Sequence, residues 1–142
     1  MMFVLDTNVV SELRKVRLGK ADTNVRAWMQ SVDAADLFVS AITNMELELG
    51  VLSIERKDAT QGDMLRSWLE QHVLPEFSGR TLPVDNAVAQ RCARSYVPDK
   101  RGERDALIAT TALVHGMTVV TCNVADFKPT GVLIINPWEG SR

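Results

Sequence analysis

Short apolar segments in this chain repeatedly meet an acid or an amide at a helix boundary. Asp6 follows Met2-Phe3-Val4-Leu5, Glu46 and Asp105 open helical stretches, and Asn123 follows Thr118-Val119-Val120-Thr121. Apolar runs this short, with little polar alternation, read as strands covered on both faces. When such strands run parallel, their carboxyl ends lie along one edge of the sheet, the edge where open α/β folds bind ligands. The pattern therefore constrains the chain to an α/β fold that gathers oxygen ligands in one place.

Periodicity fills in the rest. Strands are expected over residues 3–5, 37–39, 80–84, 118–121 and 132–135. A first helix starts at Asn8, runs through Leu13 and ends in a basic linker containing Gly19. A second is capped by Asp22 and carries Val25, Trp28, Met29 and Val32 on one face. Further helices span 42–53, with Met45, Leu47, Leu49 and Leu52 as apolar surface, then 58–73, 86–96 and 105–115. Pro75 and Gly79 close the 58–73 helix, Pro98 breaks the next, and Gly116 stops the last. Strands alternating with helices along the whole length predict one domain over residues 1–142, with a mainly parallel five-stranded sheet and helices on both faces.

A chain of 142 residues buries enough surface to fold without staples. No apolar run approaches the roughly 20 residues of a membrane helix, and no signal-peptide pattern precedes Asp6, so a cytoplasmic address without membrane association is expected. Cys92 and Cys122 form no Cys-x-x-Cys pair and read as buried small hydrophobes. A net charge of −2 excludes a protein that grips nucleic acid by its overall field. The local cations are Arg14, Lys15, Arg17 and Lys20 after the first acid, and Lys100, Arg101 and Arg104 before Asp105. They read either as solvated faces or as flanks of a site.

Each acid has two readings. Asp6-Thr7-Asn8 is a capping sequence, yet an ionised carboxylate directly after a buried strand is uncommon unless solvated, paired or metal-bound. Thr43-Asn44-Met45-Glu46 has the form of a capping box, which would use one Glu46 oxygen. Asp105 complements a helix dipole or is held inward by Ala106-Leu107-Ile108-Ala109. If the three carboxylates converge, their repulsion calls for a cation. An all-oxygen donor set suits Mg²⁺ or Mn²⁺, and the implied reaction is hydrolysis of a phosphodiester without a covalent nucleophile. His72 and His115 read as surface residues near helix ends, and Trp28, Trp68 and Trp138 as core or dimer-interface anchors.

Four motifs occur in order: Leu5-Asp6-Thr7-Asn8, Thr43-x-x-Glu46, Asp105-x-Leu-Ile-Ala and Thr121-Cys-Asn123-x-x-Asp126-Phe127. With Val9-Val10-Ser11-Glu12-Leu13, the Leu-Pro-x-Phe-x-Gly-Arg segment and the closing Asn-Pro-Trp, they resemble the PIN-domain ribonucleases, specifically the VapC toxins of bacterial toxin–antitoxin modules, and most closely their FitB branch. The resemblance covers the whole chain and implies a PIN-like three-layer fold. It implies a metal-dependent endoribonuclease toxin whose core acids match Asp6, Glu46 and Asp105. The fourth position, often Asp, matches Asn123, an amide that coordinates without adding charge. Asn8, Thr43 and Thr121 are candidates to orient the acids, and Asp126 to act through a water or to cap. The implied partners are RNA, a VapB/FitA-like antitoxin that alone contacts DNA, and a second copy of the chain. A rival expectation is a catalytically weak PIN-fold module that acts mainly by binding its antitoxin.

Overall fold

Side-chain alternation in the central strand sets the layers. In β1 (Phe3–Leu5), Phe3 and Leu5 join one apolar cluster while Val4 joins another, because neighbouring strand residues point to opposite faces. The structure, a computed structural model, describes residues 1–97 and 102–140. Pro98, Lys100 and Arg101, read above as a helix break and two cations, lie outside the described residues.

β1 is flanked by β2 (Leu37–Ser40) and β4 (Thr118–Val120), and β3 (Thr81–Leu82) and β5 (Ile134–Ile135) complete the order β3-β2-β1-β4-β5. Phe3 lies opposite both Leu37 and Thr118, and Leu5 opposite Val120. All the pairings are parallel, so the mainly parallel sheet expected is wholly parallel among the described strands. The chain leaves β1 for β2 on one side and places β4 on the other. That reversal makes a crevice at the carboxyl ends of β1 and β4, directly above Asp6.

The cluster around Phe3 and Leu5 is covered by Val9 and Val10 of α1 (Thr7–Arg17), by Leu47 and Val51 of α3 (Ala41–Lys57), and by Leu69 and Val73. Trp28 of α2 (Thr23–Ser31), Trp68 of α4 (Ala59–Trp68) and Trp138 pack against it, and Trp28 meets Phe3 edge-on at 5.2 Å. The tryptophans are core anchors. On the other face, Val4 and Val119 pack on Ile108, Ala109 and Ala112 of α7 (Glu103–His115) and on Phe127 of α8 (Val124–Phe127). A further helix, α6 (Asn86–Ser95), lies against α7. Helices thus cover both faces.

Three local expectations are corrected. The helix after α4 does not stop at Pro75: a π-helical turn over Leu69–Val73 leads into α5 (Leu74–Glu76), with the Leu74 N–H reaching the Leu69 carbonyl. Proline, which has no N–H to give, is accommodated where the hydrogen-bond register changes. His72 lies in the last turn of that π-helical segment, beside the Arg17 guanidinium. Along α3 it is Leu47 and Val51 that are buried, while Met45, Leu49 and Leu52 face solvent. Finally, Cys92 is buried but Cys122 is exposed, in the loop after β4. No helix among the described residues is long and apolar enough to cross a membrane.

Candidate active site

Asp6 stands where β1 becomes α1. Its backbone N–H still pairs in the sheet, donating to the Val120 carbonyl at 2.9 Å, while its side chain caps the helix. One carboxylate oxygen, Oδ1, accepts the Thr7 N–H at 2.8 Å; Oδ2 accepts the Thr121 hydroxyl at 2.7 Å and the Asn8 amide at 3.0 Å. The residue is only 3% exposed. Burial pushes its carboxyl above the usual range, the bonds from Thr121, Thr7 and Asn8 pull it back, and the charge of Glu46 adds to the rise. Capping and participation in a site are therefore not alternatives for Asp6, which is built for both.

Asn8 and Thr121 also bind each other, the Asn8 Nδ2 donating to Thr121 Oγ1 at 3.2 Å. The Asn8 Oδ1 accepts the Cys122 N–H at 3.4 Å, and Thr121 Oγ1 accepts the Asn123 N–H at 2.9 Å. One small network thus ties the ends of β1 and β4 together around the Asp6 carboxylate. The Cys122 thiol is pushed up by desolvation and by the charges of Asp6 and Glu12.

Glu46 does not open its helix. α3 begins at Ala41 and is capped by Ser40, whose hydroxyl accepts the Ile42 N–H at 3.0 Å, so the Thr43–Glu46 capping box does not form. Thr43 lies fully buried inside the helix, and Glu46 sits in the second turn. Relieved of capping, Glu46 turns to the sheet edge, where its Oε1 accepts the Thr7 hydroxyl at 2.6 Å. Thr7 also reaches Thr43 Oγ1 at a long 3.5 Å. The second Glu46 oxygen faces Arg104, with Nη1 at 3.6 Å.

Asp105 occupies the first turn of α7, half-buried. Its carboxyl is pushed up to about 6, first by burial and then by the charges of Asp6, Asp126 and Glu46. Those charged neighbours come from separate elements: Asp6 from the end of β1, Glu46 from α3 and Asp126 from α8. Asp126, on α8, is exposed, as is Asn123 at the N-cap of α8. The Asn123 side chain makes no capping bond, and its Oδ1 accepts only a 3.7 Å contact from Cys122 Sγ. The structure therefore brings Asp6, Glu46, Asp105 and Asp126 into mutual range and sets Asn123 on the loop at their rim.

The donor chemistry of this edge fits a hard divalent cation: oxygen ligands, partial burial and mutual repulsion that a positive charge would relieve. Among the described residues, however, no group of three or more His, Cys, Asp and Glu side chains is arranged to hold a metal ion as it stands. Mg²⁺ tolerates this, since it keeps several waters and takes one or two carboxylates rather than a closed protein cage. A cavity of about 510 Å³ lies elsewhere, against Val10, Leu13, Trp68 and Phe77, and does not include the acids.

A family model described as the PIN domain matches residues 3–131. The chain belongs to the PIN-domain family. It is 39% identical to Toxin FitB of Neisseria gonorrhoeae and 38% identical to VapC ribonuclease Y4jK of Sinorhizobium fredii, in each case over 97% of this chain and 99% of the relative. Among solved structures, FitAB bound to a DNA fragment matches with a TM-score of 0.87 at 34% identity, over 99% of both chains. In this PIN domain two site neighbours escaped the motif reading. Thr7 stood in the first motif and in a capping triplet without a role of its own, and Arg104 only as one cation in a cluster; their partner Glu46 lies far away in sequence, beyond any local signal.

Proposed function

We propose that this PIN domain is a divalent-metal-dependent endoribonuclease and the toxin of a toxin–antitoxin pair. One observation carries the reading: Thr7 joins two of the acids, its N–H donating to Asp6 Oδ1 at 2.8 Å and its hydroxyl to Glu46 Oε1 at 2.6 Å, and Asp105 lies close enough to feel the charges of both. Asp6 and Asp105 would hold Mg²⁺ or Mn²⁺, Glu46 would serve as a further ligand or as the base that orients water, and Asn123 would support through its amide oxygen. When bound, the ion supplies Lewis acidity toward phosphate oxygens and water. Asn8 and Thr121 keep the Asp6 carboxylate in place through the bonds at 3.0 and 2.7 Å. Buried Thr43 supports Thr7, which holds Glu46, and Asp126 adds negative charge at the rim.

The relatives named FitB and VapC ribonuclease, and the FitAB complex on DNA, support a VapB/FitA-like antitoxin as partner, with DNA reached only through it. The solvent-facing Met45, Leu49 and Leu52, spaced to share one side of α3, are the kind of surface a second copy of the chain covers, which supports a homodimer. The composition and the family together support a cytoplasmic address.

The absence of a preassembled three-ligand group among the described residues, with a neutral Asn123, favours a second reading: a catalytically weak PIN module that acts by tightening its antitoxin's complex. Incubating a mixed RNA pool with the purified chain, with Mn²⁺, with Mg²⁺ and with chelator, and mapping the ends, separates the two. Discrete new ends that need metal support the nuclease. RNA left whole under every condition, with antitoxin binding intact, supports the module.

A further inference from the structure

Three arginines among the described residues contact carboxylates, and they are held in different ways. Arg66, 24% exposed on its side chain, is locked between α3 and α4: it meets Glu48 at 2.6 Å and Glu55 at 3.0 Å. Arg80 is held by the carbonyls of Ala34, Leu37 and Glu76. Both are built into the fold. Arg104 is different: 54% exposed, it touches one carboxylate oxygen, Glu46 Oε2, at a loose 3.6 Å. Among the described residues it makes the one ion pair that reaches an acid of the site.

Its position is also locally unfavourable. Arg104 is the second residue of α7, where the helix dipole presents positive charge and disfavours a cation. A residue that breaks a local rule for no more than one loose, exposed ion pair points to a functional use. The need is evident in the charge balance: the site gathers Asp6, Glu46, Asp105 and Asp126 on a chain of net charge −2, a field that repels a polyanion. A guanidinium at the rim, one residue before Asp105, offers a planar donor fork suited to a phosphate.

We propose that Arg104 is the positioning residue that receives an RNA phosphate at this site, and that in the resting protein it is parked on Glu46. The inference rests on the ribonuclease reading and deepens it. The two Glu46 oxygens have different holders: the Thr7 hydroxyl keeps Oε1 at 2.6 Å, so Glu46 stays in place when the guanidinium leaves Oε2. Arg104 thereby serves both states. Parked, it offsets part of the repulsion among the acids and competes with a cation for Glu46; released, it meets the incoming anion.

The test compares wild type with Arg104→Gln and Arg104→Lys by two measurements that need no cleavage. Anisotropy of a labelled single-stranded RNA in Ca²⁺, across a salt series, reads phosphate contact. Mn²⁺ titration of the RNA-free protein by calorimetry reads competition for Glu46. Arg104→Gln is expected to weaken RNA binding on the order of tenfold, with the salt slope shallower by about 0.7, as for one lost phosphate contact on a single strand. Mn²⁺ binding to the same variant is expected to tighten, on the order of threefold, as an exposed competing ion pair is removed. Arg104→Lys is expected to keep the salt slope and recover part of the affinity, because a point charge replaces a fork.

Unchanged RNA affinity and salt slope in Arg104→Gln would overturn the proposal and leave a surface ion pair. Weaker Mn²⁺ binding in that variant would overturn the parked state and make Arg104 a structural support for Glu46. Wild-type protein that fails to bind RNA would also overturn it. Wild-type protein that binds RNA but cuts none under any metal would refute the ribonuclease reading alone, with Arg104 still judged by the binding data.

Discussion

Asp6 and Asp105 face the same space yet are held in opposite ways. Asp6 is buried and saturated, with one oxygen capping α1 and the other taking two donors, Thr121 and Asn8. Asp105 is half-buried, and burial and negative neighbours push its carboxyl up. The first is part of the architecture that joins β1, α1 and β4. The second is a charge that the fold holds at a cost, as groups kept for function often are.

The widest gap should appear when each is neutralised. Asp6→Asn and Asp105→Asn are each expected to lower metal-dependent RNA cleavage by on the order of 10²–10³-fold, the scale of losing one electrostatic element of an active site. Stability should split them. Asn at position 6 presents an NH₂ where Asp6 accepts only, so a buried bond is lost or reversed and the protein is destabilised by about 1–3 kcal/mol. At position 105 the change removes a repelled charge, so the melting temperature should hold or rise. Thermal melts beside cleavage assays read both, and equal loss of stability in the two variants would break the comparison.

Smaller in effect is the predicted dependence on pH. Burial and its charged neighbours push the Asp105 carboxyl up to about 6 in the folded chain from an ordinary 3.8, so between those values the native state binds the extra proton. Metal-free stability should therefore fall as pH rises from about 4 to about 6 and then level off, as far as this group is concerned. Denaturant unfolding at several pH values, in chelator, should show a flatter profile in Asp105→Asn. An unchanged profile would mean that Asp105 is solvated like an ordinary carboxylate.

The smallest effect expected is that of Asn123→Asp. A new charge on the exposed loop beside the acids should tighten Mn²⁺ binding a few-fold. Calorimetry on both forms checks it, and equal affinity would put Asn123 outside the reach of the ion.

How far the sequence carries this picture depends on the range of the interactions. Asp6 was legible because an acid directly after Phe3-Val4-Leu5 has few bland explanations, and the strand pattern already placed it at the carboxyl edge. The parallel sheet was legible for the same reason. Glu46 was misread because Ser40 and Thr43 are both good caps within one turn of each other. Ser40 wins because β2 ends there in extended backbone, a choice made by strand pairing and invisible to a local motif. The apolar residues of α3 lie on more than one side, and only packing against the sheet selects Leu47 and Val51 over Met45, Leu49 and Leu52. The Thr7–Glu46 and Arg104–Glu46 contacts are tertiary and leave no local periodic trace.

If Asp105 is an acid held for a cation, its loss must cost metal affinity and not stability. Calorimetric titration of Mn²⁺ into wild type and Asp105→Asn at pH 7, with melting curves on the same samples, tests this directly. The prediction is that Asp105→Asn folds at least as stably as wild type without metal, loses most of its Mn²⁺ affinity, and gains little in melting temperature when Mn²⁺ is added. Equal Mn²⁺ affinity and equal stabilisation in the two proteins would contradict it.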